Sequence, residues 1–325
     1  MTVLQRTLFL LVSIALTGVP LAFTSPASAS PGASTAALVP CLTDLALRAK
    51  QGGVVPAWRR HADTADVSQA DLDALPARET RPGVVAREVE PQLPATVVIP
   101  VHVHVIKGRH KGERKPIGPR RAQNLITILN NGMAGKQSPL SAPTRYRFSL
   151  KKVDWTKRDG WYHAFFNGPR DRKMKHRLHR GNSRTLNLYI NGGGPRGYPV
   201  LGYSRFPWQY AGAPYLDGVT INVDSLPGGR ATNYNLGDTV IHETGHWLGL
   251  LHTFQGGCDG GGDLVTDTPA EAEPSFYCQT TRDTCPAPGL DPVHNFMDYS
   301  QDACMDMLTP GQVRRIDTAF EKWRM

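Results

Sequence analysis

The sequence predicts an α+β domain: a mixed twisted sheet, a helix that carries the reactive residues, and a loop-rich lower part. Three observations predict it. Short stretches rich in alternating β-branched residues recur between residues 96 and 223. A histidine-bearing helical segment follows at 239–249. Residues 253–304 then carry clustered glycines and almost no periodicity. Strands gathered ahead of one helix, with an irregular remainder, fit segregated rather than alternating sheet and helix. The 325 residues, 40% hydrophobic and 20% charged, describe a soluble globular chain with room for one large domain beyond its targeting segments.

Residues 1–29 read as a secretory signal. Arg6 supplies the positive start, residues 8–16 form an apolar run too short to span a bilayer, and Ala27-Ser28-Ala29 is a small-residue cleavage site. The alternative is a retained N-terminal anchor. No later stretch is long and apolar enough to cross a membrane, so the mature chain is expected to be extracellular. Residues 30–94, rich in Ala, Pro, Arg and Asp, read as a pro-segment whose stretch at 78–83 is exposed and cleavable; a plain linker is the alternative. The folded domain is then 95–325.

Residues 96–106, T-V-V-I-P-V-H-V-H-V-I, predict its first strand. His102 and His104 share one face of that strand, where they are either strand residues or metal ligands. Leu125, Ile128 and Leu129 recur at helical spacing and predict a helix over 121–133, ended near Asn131-Gly132. Strands are expected at 146–155, 186–190 and 219–223. Two basic runs, 107–121 and 169–184, read as solvated surface. The helix of 239–249 begins near Gly237, with Asp238 as its N-cap. The closing helix over 309–323 is capped by Thr309 with Pro310 at its first position, and Val313, Ile316, Phe320 and Trp323 form its apolar face.

Residues 242–252 read H-E-T-G-H-W-L-G-L-L-H. His242 and His246 are four apart, so both imidazoles leave one face of a helix, one turn above the other. That spacing suits two nitrogens about 2.0–2.1 Å from one Zn²⁺. Glu243 stands beside them, where a carboxylate reaches the water activated by the metal without ligating the metal. His252 comes ten residues after His242, which on a straight helix is about 280° round and about 15 Å along. A third ligand therefore needs a bend, and Gly249 tolerates the positive φ that ends the helix and turns the chain back. Residues 295–299, N-F-M-D-Y, place Met297 about 45 residues further on.

The pattern H-E-x-x-H-x-x-G-x-x-H followed by a methionine turn is that of the metzincins. The stretches 238–254, 262–269 and 295–300 are similar to the pappalysin family of metzincins, in particular to its secreted bacterial members. The similarity is densest over about 230–310. It implies a metzincin-type catalytic domain with the cleft between an upper sheet subdomain and a lower irregular one. It also implies that Met297 lies beneath the metal, and that Tyr299 approaches the metal to supply a phenol to the oxyanion.

Segment 253–304 lacks the apolar area to hold itself in place. Cys258, Cys278, Cys285 and Cys304 allow three disulfide pairings. Zinc ligation is the other use of these cysteines, which an oxidising compartment opposes. The family resemblance implies Cys258–Cys285 and Cys278–Cys304. Asp259, Asp263, Thr266, Asp267 and Thr268 offer hard oxygens among glycines, as calcium ligands or as solvated turn residues; the resemblance favours calcium. Cys41, the fifth cysteine, is unpaired, and its thiolate suits the open fourth zinc position in a zymogen, although Pro40-Cys41-Leu42 lacks the glycine usual after such a switch cysteine.

These residues point to a secreted zinc endopeptidase acting on a protein or peptide substrate. The resemblance implies that residues 298–306, beside the methionine turn, wall the pocket just after the scissile bond. Asp298, Asp302 and Asp306 lie there without a compensating cation, and Asp302 is the expected carboxylate for an arginine or lysine, the resemblance implying arginine. Two rival classes remain. One is a polyanion-binding protein, suggested by the basic runs and the net charge of +9; the runs lack interleaved aromatics and any nucleic-acid motif, so no nucleic-acid partner is expected. The other is a zinc hydrolase of non-peptide amides, which the methionine turn opposes. No feature sets an oligomeric state.

Overall fold

The computed structural model describes residues 92–113, 117–197, 199–259 and 261–325. The expected signal peptide, nearly all of the pro-segment and Cys41 lie outside the described residues. Five strands form one sheet: β1 (Val97–Lys107), β2 (Tyr146–Lys157), β3 (Leu186–Asn191), β4 (Gly202–Ser204) and β5 (Val219–Asn222), in the order β2-β1-β3-β5-β4. All neighbours pair in parallel except β4, which runs antiparallel to β5 at the edge. The sheet is mixed, as expected. The helices are α1 (Pro119–Met133), α2 (Asp159–Tyr162), α3 (Pro169–Leu178), α4 (Thr239–Trp247) and α5 (Pro310–Trp323).

Alternation along β1 explains the layers. Ile99, Val101, Val103 and Val105 face one side and join Leu125, Ile126 and Leu129 of α1 and Val240 and Ile241 of α4 in the main core. Ile106 faces the other side and packs with Trp161 and Tyr162 of α2 and with Met174 and Leu178 of α3. His104, on that second face, is fully buried; its ring nitrogens meet the Asp154 carboxylate at 3.0 Å and the Asn187 side chain at 3.1 Å. It is a strand residue paired with side chains of the two neighbouring strands, and it belongs to none of the metal-like groupings among the described residues.

Two sequence expectations need correction. The run 169–184 is not uniformly solvated, because ten of its residues form α3 and Lys175 is fully buried. Its ammonium lies 5.0 Å from the Tyr203 ring centroid and 3.7 Å from Asp171, and burial lowers its pKa. Arg170, Arg172, Lys173 and Arg177 remain exposed on the outer face. Asp238 precedes α4 but its side chain caps nothing: its backbone is already helical, and its carboxylate accepts from Gln137 Nε2 at 3.2 Å. Thr309 does cap α5, accepting from the Gln312 N–H at 3.1 Å, while Gln312 Oε1 accepts from the Thr309 N–H at 2.9 Å.

Candidate metal centre

α4 buries all nine of its residues, which holds its two histidines one turn apart on a rigid support. Leu248 ends it, and Gly249 adopts φ +105°, a conformation open to glycine and strained for any larger residue. The turn brings His252 back onto the same spot. His246 Nε2 lies 3.1 Å from His242 Nε2 and 3.0 Å from His252 Nε2. Four-coordinate zinc at about 2.0–2.1 Å sets neighbouring ligand nitrogens about 3.3 Å apart, so the three atoms fit one ion.

The protons are placed by the opposite ring atoms. His242 Nδ1 donates to the Phe296 carbonyl at 2.6 Å and His246 Nδ1 to the Leu250 carbonyl at 2.7 Å. A carbonyl only accepts, so each Nδ1 carries the hydrogen and each Nε2 presents a lone pair. Buried lone pairs converging at this range repel unless a cation lies between them. Such carbonyl acceptors also fix ring orientation, as metal-bound histidines require. No side-chain pattern announces them, because every residue has a carbonyl.

Glu243 is fully buried next to this cradle. Its carboxylate lies against Gly202 of β4: a Cβ at position 202 would sit 2.6 Å from Glu243 Oε1. Gly202 is a site residue that the sequence reading missed, since 41 residues separate the pair. Met297 is fully buried under α4, where a Cβ on Gly245 would lie 2.5 Å from its sulfur. The Tyr299 ring centroid is 5.0 Å from that of His252 and 5.8 Å from that of His242, so its phenol belongs to the same cluster.

The lower part is held by cross-links. The disulfides are Cys258–Cys285 and Cys278–Cys304, the pairing implied by the family resemblance. Between them Arg282 bridges two buried carboxylates, Glu271 and Asp291, and Glu271 also accepts from Thr253 Oγ1 at 2.6 Å. Asp302 is buried against the chain entering α4: one carboxylate oxygen accepts from the N–H groups of Leu236 at 2.7 Å and Gly237 at 3.0 Å, and the Asp238 N–H also favours its charged form. Burial pushes its pKa up to about 6, against the lowering effect of those donors and of His242. The five oxygen-bearing residues near 259–268 differ in their surroundings. Asp259 is exposed, whereas Asp267 accepts from Thr309 Oγ1 at 2.7 Å and from the Gly311 N–H at 2.8 Å. Asp263 is buried, accepts from the Val265 N–H at 3.0 Å and is faced by the Thr268 hydroxyl, whereas Thr266 is exposed.

Among the described residues, two other groupings have metal-like composition. Cys278 and Cys304, near His294, are consumed by their disulfide, and His110, Glu113 and Asp159 have their carboxylates answered by Arg109, Arg196 and His163.

A family model described as Peptidase_M43, pregnancy-associated plasma protein-A, matches residues 173–321. An extracellular metalloprotease of Pyricularia oryzae is 40% identical over 232 residues, covering 71% of this chain and 77% of its own length. An extracellular metalloprotease of Neurospora crassa is 41% identical over 236 residues, with the same two coverages. Among solved structures, mature mirolysin of Tannerella forsythia in complex with a cleaved peptide matches with a TM-score of 0.58 and 28% identity, over 69% of this chain and 92% of that one.

Proposed function

We propose that this chain, which belongs to the pappalysin family (Peptidase_M43) of metzincins, is an extracellular metalloprotease whose metal is a zinc ion held by His242, His246 and His252. The observation that carries the choice of metal and ligands is the convergence of three buried histidines, with His246 Nε2 3.1 and 3.0 Å from those of His242 and His252, and with two of the three tautomers fixed by a carbonyl. What a bound zinc ion supplies is Lewis acidity towards water and a carbonyl oxygen.

The chain's own residues do the rest. Glu243 takes the proton of the attacking water on its carboxylate and passes it to the leaving amine nitrogen. Tyr299 donates its phenol hydrogen to the oxygen that becomes negative. The antiparallel edge strand β4 runs past Glu243 and offers an extended peptide a backbone to pair with. Asp302, a carboxylate just beyond the methionine turn, is assigned to a preference for arginine just after the scissile bond, in substrates and at Arg78, Arg81 and Arg87 of the pro-segment. Cys41 is assigned to the fourth zinc position before that segment is removed. The buried Asp263 carboxylate, with the Thr268 hydroxyl beside it, is assigned to a calcium ion in the lower part.

A peptide-library digest tests the reading. Cleavage before arginine that vanishes with Glu243→Ala and loses its preference with Asp302→Ala is expected. A digest dominated by bulky apolar residues after the cut would refute the Asp302 assignment, and binding to heparin-like chains without any cleavage would return the chain to the polyanion-binding class.

A further inference from the structure

We infer that the closing helix α5 braces the metal centre, with Arg315 and Gln312 as positioning residues. The inference rests on the zinc reading above. His242 and His246 are set by α4 itself, whereas His252 depends on the chain reversing correctly through Gly249. Orientation of His242 depends in turn on the Phe296 carbonyl, which the methionine turn supplies. The ligand set is therefore only as rigid as two loops.

α5 reaches both of them. Arg315 Nε donates to the Gly249 carbonyl at 2.9 Å. That carbonyl lies just past the end of α4, where backbone acceptors have no intrahelical partner. The helix also presses on the turn directly, since a Cβ on Gly249 would lie 2.7 Å from the Ala319 Cβ. One turn earlier, Gln312 forms a reciprocal amide pair with Asn295: Gln312 Nε2 donates to Asn295 Oδ1, and Asn295 Nδ2 donates to Gln312 Oε1, both at 2.9 Å. Asn295 Oδ1 also accepts from the Met297 N–H at 2.9 Å, which fixes the methionine turn. The Met297 carbonyl then accepts from the Thr253 N–H at 3.2 Å, next to His252. Gln312 and Asn295 are both fully shielded, so water cannot replace these bonds cheaply. Residues three apart on one helix face are neighbours, which is why a single helix can serve two loops. Neither side chain touches the reacting atoms; both act through backbone that orients the ligands.

Direct partners of metal-bound histidines are typically worth 10–100-fold in metal affinity. Arg315 and Gln312 lie one step further out, and each is expected to contribute at the lower end, about 10-fold. The test uses the full secreted chain, zinc-loaded, with Arg315→Ala, Arg315→Lys, Gln312→Ala and, as a control on the exposed face of α5, Thr318→Ala. Two quantities are read: the rate of zinc loss to a colorimetric chelator, and the thermal midpoint with and without zinc. Faster zinc loss is expected for Arg315→Ala and Gln312→Ala, with the Arg315→Lys variant partly restoring retention because an ammonium still donates to the carbonyl. A ligand that binds only the folded state raises the midpoint by linkage, so the increment conferred by zinc should shrink in the two alanine variants. A merely structural role would lower both midpoints equally and leave zinc loss unchanged, which overturns the brace. If Arg315→Ala does not fold, Arg315→Lys and Gln312→Ala decide by the same criterion. A wild-type chain that takes up no zinc overturns the metal reading and the brace together, whereas a zinc-loaded wild type with unaltered variants overturns the brace alone.

Discussion

The sheet with α4 and the segment 253–304 solve the same problem by opposite means. In the first, Ile99, Val101, Val103, Leu125, Leu188 and Ile241 are at most 1% exposed, and a continuous apolar core holds the hydrogen-bonded elements together. In the second, Phe296 and Met297 at its far end join that core, while the rest is held by two disulfides and by Arg282 between Glu271 and Asp291. The metal centre lies on the seam. Two of the proposed ligands and Glu243 come from the burial-held region, and Tyr299 and the carbonyl that accepts from His242 come from the cross-linked one. The difference teaches that catalytic chemistry should be removable without loss of lower-region stability.

The largest expected effect leaves both regions folded. Glu243→Ala should lower kcat by roughly 10²–10⁴-fold, the range for loss of a positioned acid–base group, with unchanged zinc content measured by plasma emission spectrometry. Retention of a tenth or more of wild-type turnover would remove Glu243 from its role. Next, replacing Cys278 and Cys304 together by Ala should cost about 2–4 kcal/mol. Limited proteolysis should then nick 253–304 while far-UV circular dichroism still reports the sheet; simultaneous loss of both signals would mean that the two regions are one cooperative unit.

Gly202→Ala probes the contact between them and the substrate side. The added Cβ would sit 2.6 Å from Glu243 Oε1, and displacement of a catalytic group by about 1 Å costs on the order of 10²-fold in rate. The accompanying loss of thermal midpoint should be relieved in the double variant with Glu243→Ala, where the methyl group gains room. Additive midpoints in that double-mutant cycle would place the cause elsewhere.

The smallest effect concerns Asp238, whose pKa burial, reinforced by Asp302, pushes up from 3.8 to about 7. The folded chain thus keeps a proton that the unfolded chain releases above about pH 4. Its favourable contribution is complete below that pH and lost as pH rises through about 7. Asp238→Asn keeps the group neutral, so its midpoint should exceed that of the wild type by a few degrees at pH 8 and match it at pH 4. A gain of equal size at both pH values would contradict the assigned cause.

Much of the site is legible in the sequence because its geometry is local. The i, i+4 histidines, Gly249 as the bend and Thr309 as a cap are all set within one or two helical turns. The strands at 96–106 and 186–190 are evident from alternation and lie within one residue of those bounds. The disulfide pairing comes from the family resemblance, not from spacing. What stays hidden is long-range. Gly202 meets Glu243 across 41 residues, and Arg315 meets Gly249 across 66. Lys175 is inconspicuous in a basic run because no local pattern shows that Tyr189 and Tyr203, from two strands, enclose it. Asp238 has a cap residue's identity and position, yet its backbone enters the helix too early for its side chain to reach back.

Zinc titration of the metal-stripped chain tests the central claim most directly. With wild type, activity on a peptide should rise linearly and reach its plateau at one equivalent of zinc. With Glu243→Ala, the same single equivalent should bind and no activity should appear, and with His252→Ala binding should weaken beyond stoichiometric capture. Full activity of the stripped wild type, or stoichiometric zinc capture by His252→Ala, would contradict a centre built from these three histidines and this carboxylate.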